Sequence, residues 1–286
     1  MTNLDHLASD IADRVICSHC EHEVKHSLTR ELLDAIFGKR QRLRRPNWRA
    51  RDRFLAPHEK RLEAMLKGVW ADERRVILRN MKRNPVRHYV KSDPSQIDFW
   101  LYPSTRYRAL LTEGSGRALA MLMAAAIPRA INELGLDVSF ELTNQRALDW
   151  LKTYTPKLSE NLEAVNMFDL RRELLEGIEA GESMDKLRNR VNDVFESYNR
   201  SRAESIAKSE TIRASNEGAI CVAKEAELNQ LIWMAWPGSC ELCAALDGKV
   251  IGIDETFFDD DYGDGRSLRH PNCRCQITGY SEEWGA

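Results

Sequence analysis

The sequence predicts a mainly α fold with a small α+β module at its C-terminal end: long helices followed by a short antiparallel sheet clasped by Cys/His knuckles. Three observations point there. Up to about Leu228, apolar residues recur at three- and four-residue steps, the period of an amphipathic helix. Beyond Leu228 the pattern turns extended, in short runs separated by turn residues. Within this last stretch, Cys240-Glu-Leu-Cys243 and His270-Pro-Asn-Cys273-Arg-Cys275 gather five potential metal ligands into two knuckles. Composition and pattern divide the chain into a basic helical region (1–105), a helical domain (106–225) and a β-rich Cys/His module (226–286).

The 286 residues have room for a substantial core; 30% are charged and 43% hydrophobic, which argues against disorder and against a membrane protein. The longest apolar run, Ala118 to Pro128, is too short to cross a bilayer. The N-terminus lacks a basic start followed by an apolar core, so no signal peptide is expected and the chain meets a reducing cytosol first. There, seven cysteines favour thiols or metal ligands over a disulfide framework. The formal charge of −2 hides an asymmetry: residues 1–100 hold 21 Lys/Arg against 14 Asp/Glu, and the remainder 21 against 30. A basic front and an acidic back suit a protein lying between nucleic acid and protein surfaces.

Leu4 to about Phe37 reads as one or two amphipathic helices closed by Gly38. Cys17, Cys20 and His26 can share a face there, but a lone helix cannot enclose an ion, so solvated or half-buried side chains are the preferred reading. Lys39 to Arg53 follows with eight basic residues and one acid: Lys39, Arg40, Arg42, Arg44, Arg45, Arg49, Arg51 and Arg53 surround Trp48, and Pro46 interrupts any helix. Such charge density belongs on the surface. It suits phosphates, with the tryptophan available for stacking; a solvated linker or an arm on an acidic protein surface is the competing reading.

Helices are then expected over Leu55 to Met81 and Arg106 to Leu134, separated by a proline-rich connector. Val138 to Leu142 is a short strand, and Thr143 or Asn144 caps a helix through Leu151. Further helices run from Ser159 to Ala180, closed by Gly181, and from Ser183 through Phe195. In Ser201 to Gly218, a stripe of Ile206, Glu210, Arg213 and Asn216 mixes polar and apolar groups, as expected of a face half-buried against the C-terminal module with its side chains satisfied. Leu231–Ala235, Lys249–Ile253 and Cys275–Tyr280 are the strands, with Asp247-Gly248 as a turn; Cys221 is a buried small hydrophobe.

A Cys-x-x-Cys knuckle supplies two corners of a tetrahedron, and His270 with Cys273 or Cys275 can supply the others. The 26 residues between the knuckles exceed ordinary finger spacing, so the arrangement is a clasp across a long loop, suited to structural zinc. Packed thiols, or a disulfide formed later in an oxidising exterior, are the alternatives. Five candidate ligands leave no open position for a catalytic water. The acidic loop from Asp254 to Asp264 fails the calcium-hand register at Gly263 and reads as solvated or as a contact for a basic partner.

Cys240-Glu-Leu-Cys243-Ala-Ala-Leu-Asp247-Gly248 with His270-Pro-Asn-Cys273-Arg-Cys275 resembles the C-terminal signature of the bacteriophage Mu F-like head morphogenesis (minor head) proteins. The helix Ala203 to Gly218 is similar to the one preceding that signature, with Ser209 where Thr is more usual. The resemblance covers about 160–280. It implies a non-enzymatic minor head protein of a tailed phage or prophage at the portal vertex or capsid interior, assisting head assembly and DNA packaging or delivery. The portal and other head proteins would be its partners, with the virion as its place and the host cytoplasm as its site of assembly. The competing expectation is a metal-dependent nuclease or toxin-like effector in which His270 and the acidic loop hold a metal near a phosphate.

Overall fold

The computed structural model describes residues 45–83, 104–136, 145–259 and 265–282. Five helices precede the sheet: α1 (Trp48–Arg83), α2 (Ser104–Leu134), α3 (Gln145–Glu179), α4 (Met184–Ser197) and α5 (Ala203–Glu225), with a π-helical turn, Tyr198–Arg202, joining the last two. Strands β1 (Gln230–Met234), β2 (Val250–Gly252) and β3 (Gln276–Tyr280) follow, with a single helical turn, α6 (Glu241–Ala244), after β1. The mainly α class with a small C-terminal sheet is therefore the observed one. The predicted Cys17/Cys20/His26 face, Lys39 to Arg44, most of the proline-rich connector, the Val138–Leu142 strand and Asp260 to Asp264 lie outside the described residues.

Helix α1 begins seven residues before its predicted start. Pro46 lies just outside it, and Asn47 accepts the Ala50 amide at 3.0 Å, giving the helix an N-terminal cap despite the density of charge around it. Its buried stripe repeats at helical spacing through Arg51, Leu55, Leu62, Leu66, Trp70, Glu73, Ile77 and Met81. Helix α2 crosses α1 where Gly114 removes a side chain: a Cβ there would lie 2.7 Å from the Met65 sulfur, so a larger residue would make the Met65 side chain move aside. By length and composition α2 is long and apolar enough to span a bilayer, more than its longest apolar run suggests. In the structure its buried residues, among them Leu111, Leu119, Leu122, Met123 and Ile127, belong to the protein core.

The two helices expected around Leu151 and Ser159 to Ala180 form the single helix α3, which contains Pro156. Hydroxyls accompany the proline: Thr155 donates to the Leu151 carbonyl at 2.9 Å and Ser159 to those of Thr155 and Pro156 at 2.8 and 3.0 Å, so carbonyls near the proline find side-chain donors. Ser183 caps α4 as predicted, accepting the Lys186 amide.

Helix α5 is the centre of the molecule. Nearly all of its residues from Ser209 to Ala223 are buried, many of them Ala, Ser or Gly that let neighbours approach closely. Helices α1 and α2 and strand β3 all pack on it. The sheet order is β2-β1-β3, all antiparallel. Gly248, at φ 78°, makes the turn before β2 as the Asp-Gly pair predicts. One hydrophobic cluster runs from Leu55 of α1 to Ile277 of β3.

Trp70, fully buried on α1, is expected to cost about 3–5 kcal/mol when changed to alanine, measured by urea denaturation. The exposed Phe168 changed to serine should stay within about 0.5 kcal/mol.

Candidate metal centre and its helical cradle

The site starts from the way α5 meets the segment before β3. Asn216 is 1% exposed, and a buried amide must spend all its hydrogen-bonding capacity inside the protein. Its Nδ2 donates to the carbonyls of Ser267 and Cys275 at 2.8 and 3.3 Å, and its Oδ1 accepts the Ile277 amide at 3.3 Å. Two turns earlier, Ser209 Oγ accepts the Asn272 amide at 2.9 Å while donating to the Ser205 carbonyl. Asn272 in turn donates from Nδ2 to Ser205 Oγ at 2.9 Å. Asn272 holds φ 60°, a left-handed conformation that asparagine tolerates, and this bends the His-Pro-Asn-Cys knuckle onto the helix. A hydroxyl at position 209 suffices for this contact, which accounts for serine in place of threonine.

Glu210 and Arg213 complete the predicted stripe. They form an ion pair at 3.4 Å, both buried; Tyr154 of α3 donates to Glu210, and the Arg213 guanidinium sits 5.4 Å from the Tyr154 ring. The polar part of the stripe is buried more deeply than the half-buried face expected, and Glu210 finds its partner on α3 rather than on the C-terminal module.

The knuckles converge on one another. His270 Nε2 lies 3.3 Å from Cys240 Sγ and 3.2 Å from Cys243 Sγ, and Cys243 Sγ lies 3.7 Å from Cys273 Sγ. Cys243 belongs to two groups of potential ligands, one with Cys240 and His270, the other with Cys273 and Cys275. Cys243, Cys273 and Cys275 are buried, whereas Cys240 is exposed and His270 half-buried. These cysteines are free, and 3.7 Å is far from the ~2.05 Å of a disulfide. Tetrahedral zinc with ~2.3 Å bonds to sulfur and ~2.0 Å bonds to nitrogen sets ligand edges of about 3.5–3.8 Å, close to the distances found.

The Pro271 carbonyl lies 2.9 Å from His270 Nδ1 and can only accept, so Nδ1 carries the hydrogen and Nε2 turns its lone pair to the sulfurs. The backbone N–H of Cys243 holds the Cys240 thiol below its ordinary range. Hydrogen bonds from Cys243 and Cys275 pull Cys273 down, while the bond to Cys273 pushes Cys243 up, so Cys240 and Cys273 lean towards thiolate and Cys243 and Cys275 keep their protons. Cys221 lies outside the cluster, buried on α5 as predicted, and burial pushes its thiol up to about 11.

Among the described residues, no acidic side chain joins these groups. Asp254 pairs with Lys224 at 2.6 Å, and Asp259 accepts from Thr256.

The end of the basic run, expected on the surface, is only partly there. Arg51 is 2% exposed and donates to the carbonyls of Arg274 and Cys275 at 2.7 and 3.2 Å. Burial, then the nearby Arg274 charge, lowers its pKa to about 10. Arg274 reaches back to Asp52 at 2.7 Å and Glu59 at 2.9 Å, so helix and knuckle exchange arginines. Arg45 makes a bidentate pair with Asp247 at 2.7 Å, and Asp247 also accepts the Ala235 amide at 2.8 Å. Trp48 is half-buried beside the Arg51 guanidinium; Arg49 and Arg53 are exposed. Charge density gave no hint of this. The signal was the helical register, which places residue 51 one turn before Leu55 on the buried stripe.

The fold and site thus define a helical protein whose last long helix cradles a three-stranded Cys/His module. Residues 169–278, from the end of α3 to β3, match the family described as Phage Mu protein F like protein, so the resemblance read in the sequence holds over that stretch. The match marks this part of the chain as similar to a phage head-related family. The chain is also 28% identical over 153 residues to the uncharacterized protein YqbB of Bacillus subtilis (strain 168). That alignment takes in 51% of this chain and 48% of YqbB, so the chain spans about half the length of this curated relative. No solved structure matches.

Arg51→Met should lower the unfolding free energy by about 2 kcal/mol or more in urea titrations, because it strips a charged donor from two knuckle carbonyls. Arg49→Met, on the exposed face, should leave it within about 0.5 kcal/mol.

Proposed function

We propose that this chain is a minor head protein of a tailed phage or prophage: a structural, non-enzymatic component of the portal vertex or capsid interior that assists head assembly and DNA packaging or delivery. Its partners are the portal and other head proteins, with DNA as a further contact, and it reaches the virion from the host cytoplasm. The observation that carries this reading is that the family match falls on a structural unit, helix α5 with its knuckles, joined by Asn216, Ser209 and Ser205. Such a unit presents one rigid surface to a partner. The five sulfur and nitrogen ligands at the knuckles can fill all four positions of a tetrahedral ion, which supports a structural role for a bound metal.

Zinc is the metal whose chemistry suits the knuckles, since thiolate and imidazole are its preferred donors and the ligand edges fit its tetrahedron. Cys240, Cys243 and His270 would hold it, with the fourth ligand from the Cys273/Cys275 pair. Bound zinc would supply a cross-link between the turn after β1 and the segment before β3. The chain's own part is to orient the ligands: Pro271 fixes the imidazole and Asn216 the backbone at Cys275.

Elemental analysis of the purified protein should find about one zinc per chain. Cys243→Ser should abolish binding and Cys221→Ser should retain it. Whichever of Cys273→Ser and Cys275→Ser loses the metal identifies the fourth ligand. A strong chelator should lower the melting temperature of the native chain and leave Cys243→Ser unmoved.

Co-expression with the portal protein of the same phage genome should give a complex on size exclusion, and purified virions should contain the chain. Virions that lack it, together with no portal complex, would overturn the assignment.

A further inference from the structure

A second cationic feature lies away from the knuckles. At the C-terminal part of α1, Arg74, Arg75, Leu78, Arg79 and Lys82 form one wall of an open groove of about 770 Å³. Asp185, Arg188, Asn189 and Asn192 of α4 form the other. Each wall is a single helical face, with lining residues three and four positions apart. Five cations therefore face one acid.

Arg75 is steadied by Asp72 at 3.1 Å and Arg188 by Asp185 at 2.7 Å. Among the described residues, Arg74, Arg79 and Lys82 make no ion pair. Lys82 in the last turn complements the helix dipole, but Arg74, Arg75 and Arg79 lie beyond the reach of that effect. Like charges crowded along one groove repel one another, and a polyanion relieves that repulsion.

We propose that this groove binds the phosphodiester backbone of nucleic acid, without sequence preference. Four of the five cations are guanidiniums, whose planar fork matches phosphate oxygens, and Asn189 and Asn192 offer further donors from the opposite wall. A protein partner would be anchored by aromatic or aliphatic side chains in pockets, whereas Ala71 and Leu78 are the only apolar residues lining this groove. With no aromatic ring to stack a base, the groove offers duplex and single strand the same contacts. Residues 74 to 82 span roughly 12 Å of helix, which at ~3.4 Å of axis per phosphate covers about three to four phosphates of one strand. This site refines the DNA contact within the proposed function, and it stands apart from portal association.

The test is fluorescence anisotropy of the full chain with two labelled 30-base-pair duplexes of unrelated sequence, titrated at several salt concentrations. Wild type should bind both equally. Arg79→Glu/Lys82→Glu should bind about tenfold or more weakly, with a salt slope smaller by about 2. Arg49→Glu/Arg53→Glu, on exposed positions near the start of α1, should lose less. Circular dichroism confirms folding, and Arg79→Gln/Lys82→Gln replaces the reversal if that variant unfolds. Wild-type affinity retained in the groove variant, or no wild-type binding at low salt, overturns the proposal. Displacement of DNA by polyglutamate at equal charge concentration also overturns it, in favour of an acidic protein. If portal association fails while the groove still binds DNA, the head-protein reading falls and this site stands.

Discussion

Everything at the C-terminal end depends on one buried amide. Asn216 sits on the most enclosed helix, and its side chain bonds the Ser267 carbonyl, the Ile277 amide and, together with Arg51, the Cys275 carbonyl. A three-stranded sheet with short strands cannot bury much apolar surface by itself. Here it is fastened to a helix by directional bonds, while Trp233, Phe257 and Ile277 supply the apolar contact. Left unsatisfied at that depth, each polar group would cost about 1–3 kcal/mol, so the amide selects a single seating for the module.

Helix α1 adds a second fastening and carries it across the molecule. Its first turns hold the knuckle through Arg51, Asp52 and Glu59, and its last turns line the groove with α4. From residue 51 to residue 75 the helix extends about 36 Å. One rigid element therefore connects the Cys/His module to a cationic surface, an arrangement suited to a protein that meets an assembly partner at one end and a polyanion at the other.

Much of this was legible in the residues. The change from helical to extended period located the sheet, and all three strands fall within a residue or two of the expected positions. The ligand types and spacing of Cys240, Cys243, His270, Cys273 and Cys275 brought the knuckles together on paper as they do in space. The single helix over Gln145–Glu179 was obscured by Pro156, whose effect on local propensity is visible in sequence, whereas the hydroxyls that serve nearby carbonyls are not. Arg51 was misread for a related reason. Its charge argued for solvent, and only the packing shows that two carbonyls of a segment more than two hundred residues away fill its donors. The α1–α4 groove was invisible because it arises from two faces that meet only in the fold.

Hydrogen exchange followed by mass spectrometry on Asn216→Ala tests the dependence on that amide most directly. Loss of protection should appear together in 265–280 and in the middle of α5, while α1 from Leu62 onward and α2 keep theirs. Unchanged exchange in 265–280 would contradict it, since the module would then be seated by its other contacts, through Arg51, Ser209, Arg274 and the apolar core.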